Sequence, residues 1–231
     1  MNDALLKVLS WVDTATVCSA IEVVQGVRGF DRFTKAPPLA FGKDALPLVG
    51  FARTAKVAGA SAPNEPIKTT KERRLEYYRY VNACTAPSVV VIEDTDGSNC
   101  VGAFWGQLNA TIHKKLGISG VLTNGLVRDL DDLPDTFPIL AGSIGPSHGH
   151  IHVTEFGGPV SVFGLVISEN DFIHADQHGA VVIPHEVLPD IQQAIVELVQ
   201  IESTILKPLK NDDFQFSDFE AAWKAFDSLR V

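Results

Sequence analysis

Ser88-Val89-Val90-Val91-Ile92 is a continuous run that is apolar and β-branched throughout after its first residue. A strand of this kind has no polar side to turn toward water, so both of its faces must be covered. The next periodic segment, Phe104 to Leu116, repeats its apolar residues at helical spacing, and Gly117 supplies a C-terminal stop. Gly120-Val121-Leu122-Thr123-Asn124 then reads as a second strand. Strand, helix and strand in that order predict a βαβ unit, and hence an α/β fold with parallel neighbours.

The flanking segments extend this frame without repeating it. Residues 4–12 and Thr14 to Val24 predict two short helices separated near Asp13, with Gly26 closing the second. From Leu46 the pattern alternates through Leu48 to Val57, as a half-buried strand does. Ala58 to Thr70 reads as a proline-bearing loop, and Lys71 to Ala83 as a helix with Leu75, Tyr78 and Val81 on one side. Ile151 to Thr154, Val160 to Val166 and Ala180 to Ile183 predict short strands, Glu186 to Ser203 a long amphipathic helix, and Asp218 to Leu229 a terminal one. The 231 residues read as one α/β domain with a helical arm over about 1–26 and a helical tail over about 186–231.

Hydrophobic residues make up 45% of the chain and charged residues 20%, enough apolar surface for a large core. The net charge of −9 argues against nonspecific binding to nucleic acid or to an anionic membrane. It leaves room for a small anion held at one cationic spot. Cys18, Cys84 and Cys100 lack paired spacing, which points to a reducing compartment rather than a disulfide framework. Met1 to Val12 has neither a signal-peptide pattern nor a spanning length of apolar residues, so a cytoplasmic protein is expected.

The chemistry concentrates where the predicted helix begins. In a βαβ unit the helix start and the loop after the second strand share the carboxyl edge of the sheet, where ligands bind. The amides of Gln107, Leu108 and Asn109 have no acceptor within a helix and can hold a carboxylate or phosphate. Gly106 lets a ligand approach the main chain. After the second strand, Arg128 offers a planar fork for a carboxylate or enolate, and Asp129 a hard oxygen suited to Mg²⁺ or Mn²⁺. The plainer alternative is a surface turn at Asn124-Gly125 followed by an Arg-Asp ion pair of little consequence.

The same residues resemble the RraA-like family, which includes 4-hydroxy-4-methyl-2-oxoglutarate aldolases with oxaloacetate decarboxylase activity and the regulator of ribonuclease activity A. The family's mark is an acidic residue, twenty intervening positions, then Arg-Asp; here Arg128-Asp129 follow Gln107 at that spacing. Thr16 to Ile21 resembles the family's N-terminal helix, while Phe156 to Val160 and Asn170 to Pro184 resemble its closing strands. The resemblance implies an α/β/β/α sandwich of the swivelling phosphohistidine-domain type. It also implies homotrimers or hexamers with sites at subunit boundaries, substrate binding by Gly106, Gln107, Leu108, Asn109 and Arg128, and a divalent metal near Asp129.

The expected activity is therefore a class II aldolase or decarboxylase acting on a short 2-oxo acid through a pyruvate enolate, with Arg128 and Gln107 as catalytic residues. Gln107 departs from the family's Asp or Glu, and an amide cannot take a proton at neutral pH. The alternative is a noncatalytic acidic oligomer that modulates a ribonuclease or another protein. A lysine Schiff base ranks lower, since Lys114 and Lys115 fall on the outer side of the predicted helix.

Other chemistry-bearing residues have milder readings. His148, His150 and His152 alternate and suggest a site rim or subunit contact before a metal site. Glu93, Asp94 and Asp96 suggest a solvated turn after a strand, or support for the metal. His174, Asp176 and His178 fall in a closing turn where Asp176 accepts from backbone amides. Glu202 suits an exposed helix face, and Cys18 and Cys84 buried small positions.

Overall fold

The buried run at Ser88 becomes one of two central strands of a mixed sheet. The structure, a computed structural model, describes residues 3–42, 47–84, 86–210, 212 and 214–227. In chain order the first elements are α1 (Asp3–Leu9), α2 (Thr14–Gln25), β1 (Leu39–Phe41), β2 (Leu48–Ala58), α3 (Ile67–Asn82), β3 (Ser88–Asp94), β4 (Ala103–Trp105), α4 (Gln107–Lys115) and β5 (Ile118–Thr123). There follow β6 (Leu126–Val127), β7 (Ile139–Ala141), β8 (Ser143–Ile144), β9 (His152–Phe156), β10 (Val160–Val162), β11 (Leu165–Ile167), β12 (Phe172–Asp176), β13 (Gly179–Ile183), α5 (Ile191–Leu206) and α6 (Phe216–Asp227). These fall into two compact units, one running to Thr14 and again over Arg32–Pro184, the other formed by Ala15–Asp31 and the residues from His185 onward.

In the first unit the main sheet has the order β1-β7-β5-β3-β2-β12-β13, and β9 also pairs with β2. β2, β3, β5 and β7 are mutually parallel along this path, whereas β12 and β9 run antiparallel to β2. β3 and β5 flank α4 in sequence and lie side by side, as the βαβ reading requires. Alternation along β3 divides the core in two. Val90 and Ile92 join Tyr77, Val81, Phe104, Trp105 and Ala110 on the side of α3 and α4. Val89 and Val91 join Val160, Val162, Leu165 and Ile167 of the β10–β11 hairpin on the other.

Several expectations shift at their boundaries, each for a local reason. The helix expected over Phe104 to Leu116 starts at Gln107, because Phe104 and Trp105 belong to β4, paired with β6 in a separate small sheet. Val160 to Val166 is a hairpin, turned at Phe163 (φ 49°) and Gly164 (φ 79°). The loop expected to reach Thr70 ends at Ile67, where the carbonyl of Pro66 accepts from the amides of Thr69 and Thr70. β2 is more deeply buried than a half-buried strand because both of its faces are covered, Ala55 and Val57 joining one half of the core and Leu48 and Ala52 the other. Gly117 closes α4 at φ 86°, its amide bonded to the Lys114 carbonyl.

His174 and Asp176 belong to β12 rather than to a turn. The His174 ring is fully buried, its Nε2 2.9 Å from the Leu9 carbonyl and its Nδ1 3.0 Å from the Thr14 hydroxyl. Nε2–H donates to the carbonyl, and the two contacts together fix the orientation of the ring. Burial pulls the imidazole's pKa down. Asp176 accepts from the amides of Thr14 at 2.9 Å and His178 at 2.8 Å, the amide-binding role expected of it.

In the second unit α5 begins at Ile191 rather than near Glu186, after a stretch of turns. The terminal helix covers Phe216–Asp227; Leu229, the end expected for it, lies outside the described residues, as does Leu46. Phe216, Phe219, Trp223 and Phe226 stack along α6 at centroid distances of 5.6–5.7 Å. Glu202 is exposed, as expected, and borders a small cavity of about 120 Å³ within this unit. Among the described residues, no helix is long and apolar enough to cross a membrane.

Candidate functional site

β4 delivers the chain to Gly106 and β6 delivers it to Arg128, and the pairing of these two short strands sets the site. The register brings Trp105 opposite Val127, and the Arg128 amide continues it by donating to the Trp105 carbonyl at 2.9 Å. Gly106 and the Arg128–Asp129 pair therefore meet although twenty-one residues separate Gly106 from Arg128. A Cβ built on Gly106 would stand 2.5 Å from Asp129 Oδ2 and 3.0 Å from Arg128 Cγ. Glycine is needed here for that close approach, since φ of −173° is ordinary extended backbone.

The Asp129 carboxylate occupies the start of α4. Its Oδ2 accepts from the Gln107 amide at 3.2 Å and lies 3.5 Å from Arg128 Nε. Asp129 itself sits in the left-handed region at φ 54° and ψ 44°, a conformation that costs a non-glycine residue energy and that turns its side chain back to the helix. One expected anion donor, the Gln107 amide, is thus already engaged by a protein carboxylate. The amides of Leu108 and Asn109 occupy the next positions of the first turn, for which helix geometry provides no acceptor.

A cleft of about 310 Å³ opens here, lined by Arg74, Ala103, Phe104, Gly106, Leu108, Asn109, Arg128, Asp129, His148 and Ile151. Five of the six residues singled out from the sequence lie on its wall. Gln107 is the exception: it contributes its amide to Asp129 while its side chain is exposed. Leu108 stands 71% exposed at the mouth. Asn109 is only 7% exposed, and its side chain is committed to the protein. Its Nδ2 donates to the Phe104 carbonyl at 2.5 Å, and its Oδ1 accepts from Arg74 Nη2 and from the Tyr78 hydroxyl, both at 2.9 Å.

Arg74 is the charged wall residue that the sequence reading did not find. It projects from α3, its Nε donates to the Tyr78 hydroxyl at 3.1 Å, and its guanidinium lies 5.2 Å from the Phe104 ring centre. Behind it the His113 ring is completely buried among Tyr77, Phe104 and Trp105, with the Trp105 ring 4.6 Å away. Nδ1–H donates to the Asn109 carbonyl at 2.7 Å and Nε2 accepts from the Tyr77 hydroxyl at 2.8 Å. Burial drives this imidazole down to about 4 and raises the Tyr77 phenol well above its ordinary range. Both are neutral supports of the wall.

The three alternating histidines separate. His148 lines the cleft, with Nδ1 2.9 Å from the Gly149 carbonyl; His150 lies in a turn, and His152 begins β9. No cluster of three or more His, Cys, Asp or Glu able to hold a metal occurs among the described residues. Glu93, Asp94 and Asp96 do not form a solvated turn. Glu93 accepts from the Ser161 amide, Asp96 from those of Gly59 and Ala60, and buried Asp94 from the Asp96 amide and the Cys100 thiol. Burial and the Asp94 carboxylate push that thiol up to about 12, so it carries no thiolate chemistry near neutral pH. Cys18 and Cys84 are partly rather than fully buried. Lys114 donates to the Asp135 carbonyl and the Thr136 hydroxyl, away from the cleft wall.

Residues 14–182, which carry every element of this cleft, match the RraA-like family, described as Aldolase/RraA. The chain belongs to that family. An uncharacterized protein of Methanocaldococcus jannaschii is 35% identical over 91 residues, 38% of this chain and 44% of its own length. Protein DlpA of Legionella pneumophila is 27% identical over 129 residues, 54% of this chain and 21% of its own. The chain thus matches less than half the length of these curated relatives.

Two solved structures share the fold of this RraA-like chain. An uncharacterized protein of Pseudomonas syringae pv. tomato aligns with a TM-score of 0.70 at 18% identity, over 97% of this chain and 94% of that one. Streptomyces coelicolor RraAS2, described as an unusual member of the RNase ES inhibitor RraA protein family, aligns with a TM-score of 0.65 at 23% identity, over 88% and 96%.

Proposed function

We propose that this RraA-like chain is a divalent-metal-dependent lyase acting on a short 2-oxo acid, by retro-aldol cleavage or by β-decarboxylation of oxaloacetate. The observation that carries the reading is the meeting of Gly106, Arg128 and Asp129 on one cleft wall at the start of a helix. We further take the fold to be the α/β/β/α sandwich of the swivelling phosphohistidine-domain type, assembled as a homotrimer or hexamer in the cytoplasm.

The donor set fits one kind of cation. Among the described residues Asp129 is the single carboxylate on the wall, which suits a hard ion that keeps most of its waters and takes its remaining oxygens from substrate. It does not suit a preformed multi-ligand cage. When bound, such an ion supplies Lewis-acid stabilisation of the charge that develops on the keto oxygen. Arg128 adds a fixed guanidinium against the same charge, a preorganised donor worth roughly 3–4 kcal/mol in the transition state. The amides of Leu108 and Asn109 orient the substrate carboxylate.

Both reactions break a carbon–carbon bond and leave an enolate whose carbon must receive a proton; retro-aldol cleavage must also take one from a hydroxyl. Gln107 can do neither. His148 is the imidazole on the wall: with Nδ1–H donating to the Gly149 carbonyl, Nε2 keeps the lone pair that takes the hydroxyl proton in retro-aldol cleavage and returns it to the enolate carbon, whereas in decarboxylation it passes on a proton taken from solvent water.

The test is pyruvate formation from oxaloacetate with Mg²⁺ and with a chelator, set against the Arg128→Lys, Asp129→Asn double variant at equal metal. Turnover by the native chain above that control supports the lyase. The glutamine at 107 favours a second reading, a noncatalytic acidic oligomer that binds a ribonuclease or another protein. Equal rates in native and double-variant chains overturn the decarboxylase, and equal rates of retro-aldol cleavage of 4-hydroxy-4-methyl-2-oxoglutarate as well would leave the binding reading in its place.

A further inference from the structure

Adjacent arginines on α3 have opposite fates. Arg73 is neutralised by Glu65, with Nη1 and Nη2 2.5 and 2.6 Å from its two carboxylate oxygens. Arg74 points into the cleft, and among the described residues no carboxylate lies within ion-pair range of it. Its guanidinium is nevertheless held, by Asn109 Oδ1, by the Tyr78 hydroxyl and by the face of Phe104. Those two hydrogen bonds use two of its five N–H donors. A cation so fixed, with donors to spare and no counter-ion, is prepared for an anion from outside the chain.

Arg128 already answers the charge at the reacting end of the ligand, and it shares that end with Asp129. The wall therefore carries two guanidiniums against one carboxylate before any metal binds. A 2-oxo monocarboxylate satisfies only one of them. We propose that Arg74 is the specificity-determining residue of this cleft, taking the second carboxylate of a 2-oxo dicarboxylic acid and so favouring it over a 2-oxo monocarboxylic acid. The inference rests on the 2-oxo acid reading above.

The experiment is calorimetric titration of the full chain with pyruvate and with 2-oxoglutarate, which share the 2-oxo acid head and differ in the second carboxylate, at one fixed Mg²⁺ concentration. The native chain binds 2-oxoglutarate at least about tenfold more tightly than pyruvate, as expected for one charge-assisted pair. In Arg74→Gln the ratio falls to near one, and in Arg74→Lys, which keeps the charge and loses the fork, it falls between. Equal affinities in the native chain, or a ratio unmoved in Arg74→Gln, overturn the proposal while leaving the cleft as the ligand site. Should Arg74→Gln fail to fold, a full native ratio in Arg74→Lys overturns it instead. Failure of the native chain to bind either acid, or native binding by Arg128→Ala, removes the 2-oxo acid reading and this proposal with it.

Discussion

The Asp129 carboxylate lies 3.2 Å from the Gln107 amide, so the side chain proposed to hold a cation also caps the helix that forms the anion cradle. The arrangement depends on Gly106, whose missing Cβ leaves the room that Oδ2 fills. Gly106→Ala therefore displaces the carboxylate rather than straining the backbone. Metal-dependent oxaloacetate turnover falls by about a hundredfold, the usual cost of moving a reacting group by an ångström. Steady-state rates with a thermal melt of the same variant check this: a native rate, or a loss explained by unfolding, contradicts it.

Gln107→Glu places a carboxylate on the first turn of α4, at the residue whose amide holds the Asp129 carboxylate. Turnover rises by about tenfold or more if the missing acid limits proton transfer, and the Mg²⁺ concentration for half-maximal rate drops. Titrating the rate against Mg²⁺ in both chains measures the two effects together. No gain means that His148 already performs the proton transfer; His148→Gln in the native chain must then abolish it.

His113 makes the fold sensitive to acid. Its imidazole is neutral when folded, lowered to about 4 by burial, and titrates near the ordinary 6.5 when unfolded. Between those values the unfolded chain binds the proton first, so stability is intact above pH 6.5 and declines as the pH falls toward 4. The total loss is about 3 kcal/mol. The neutral, buried His174 acts in the same direction. Melting temperatures measured from pH 7 to pH 4.5 decline in the native chain and decline less in His113→Gln.

Tyr77→Phe removes the donor to His113 Nε2 and leaves a buried acceptor without a partner. The expected cost is about 1–3 kcal/mol, read from urea unfolding at pH 7. Because the pair lies behind the wall rather than on it, affinity for 2-oxoglutarate changes less than threefold or so at matched folding.

The parts of the fold set by local pattern were legible in the sequence, and those set by distant pairing were not. Val89 to Ile92 announced a strand covered on both faces because no polar residue interrupts them. Phe104 and Trp105 looked like the first turn of a helix because apolar residues before a helix fit its period; only β6, more than twenty residues later, draws them into a strand. Phe163-Gly164 hid a hairpin because a phenylalanine at positive φ carries no turn signature. At the site, Gly106, Arg128 and Asp129 could be read from spacing and from where a βαβ unit opens. Arg74 could not, since it reaches the cleft only through Asn109 and Tyr78, and nothing in its own neighbourhood distinguishes it from the paired Arg73.

The bonds from His174 to Leu9 and Thr14 join residues 165 and 160 positions apart. During synthesis the ribosome releases α1 long before it makes the strand that gives this helix its buried polar partner. The helix is without that buried polar partner until nearly the whole first unit has emerged. Closure of that long loop is then a late event in folding, and a nascent chain stalled before β12 would leave its first helix open to proteases and chaperones.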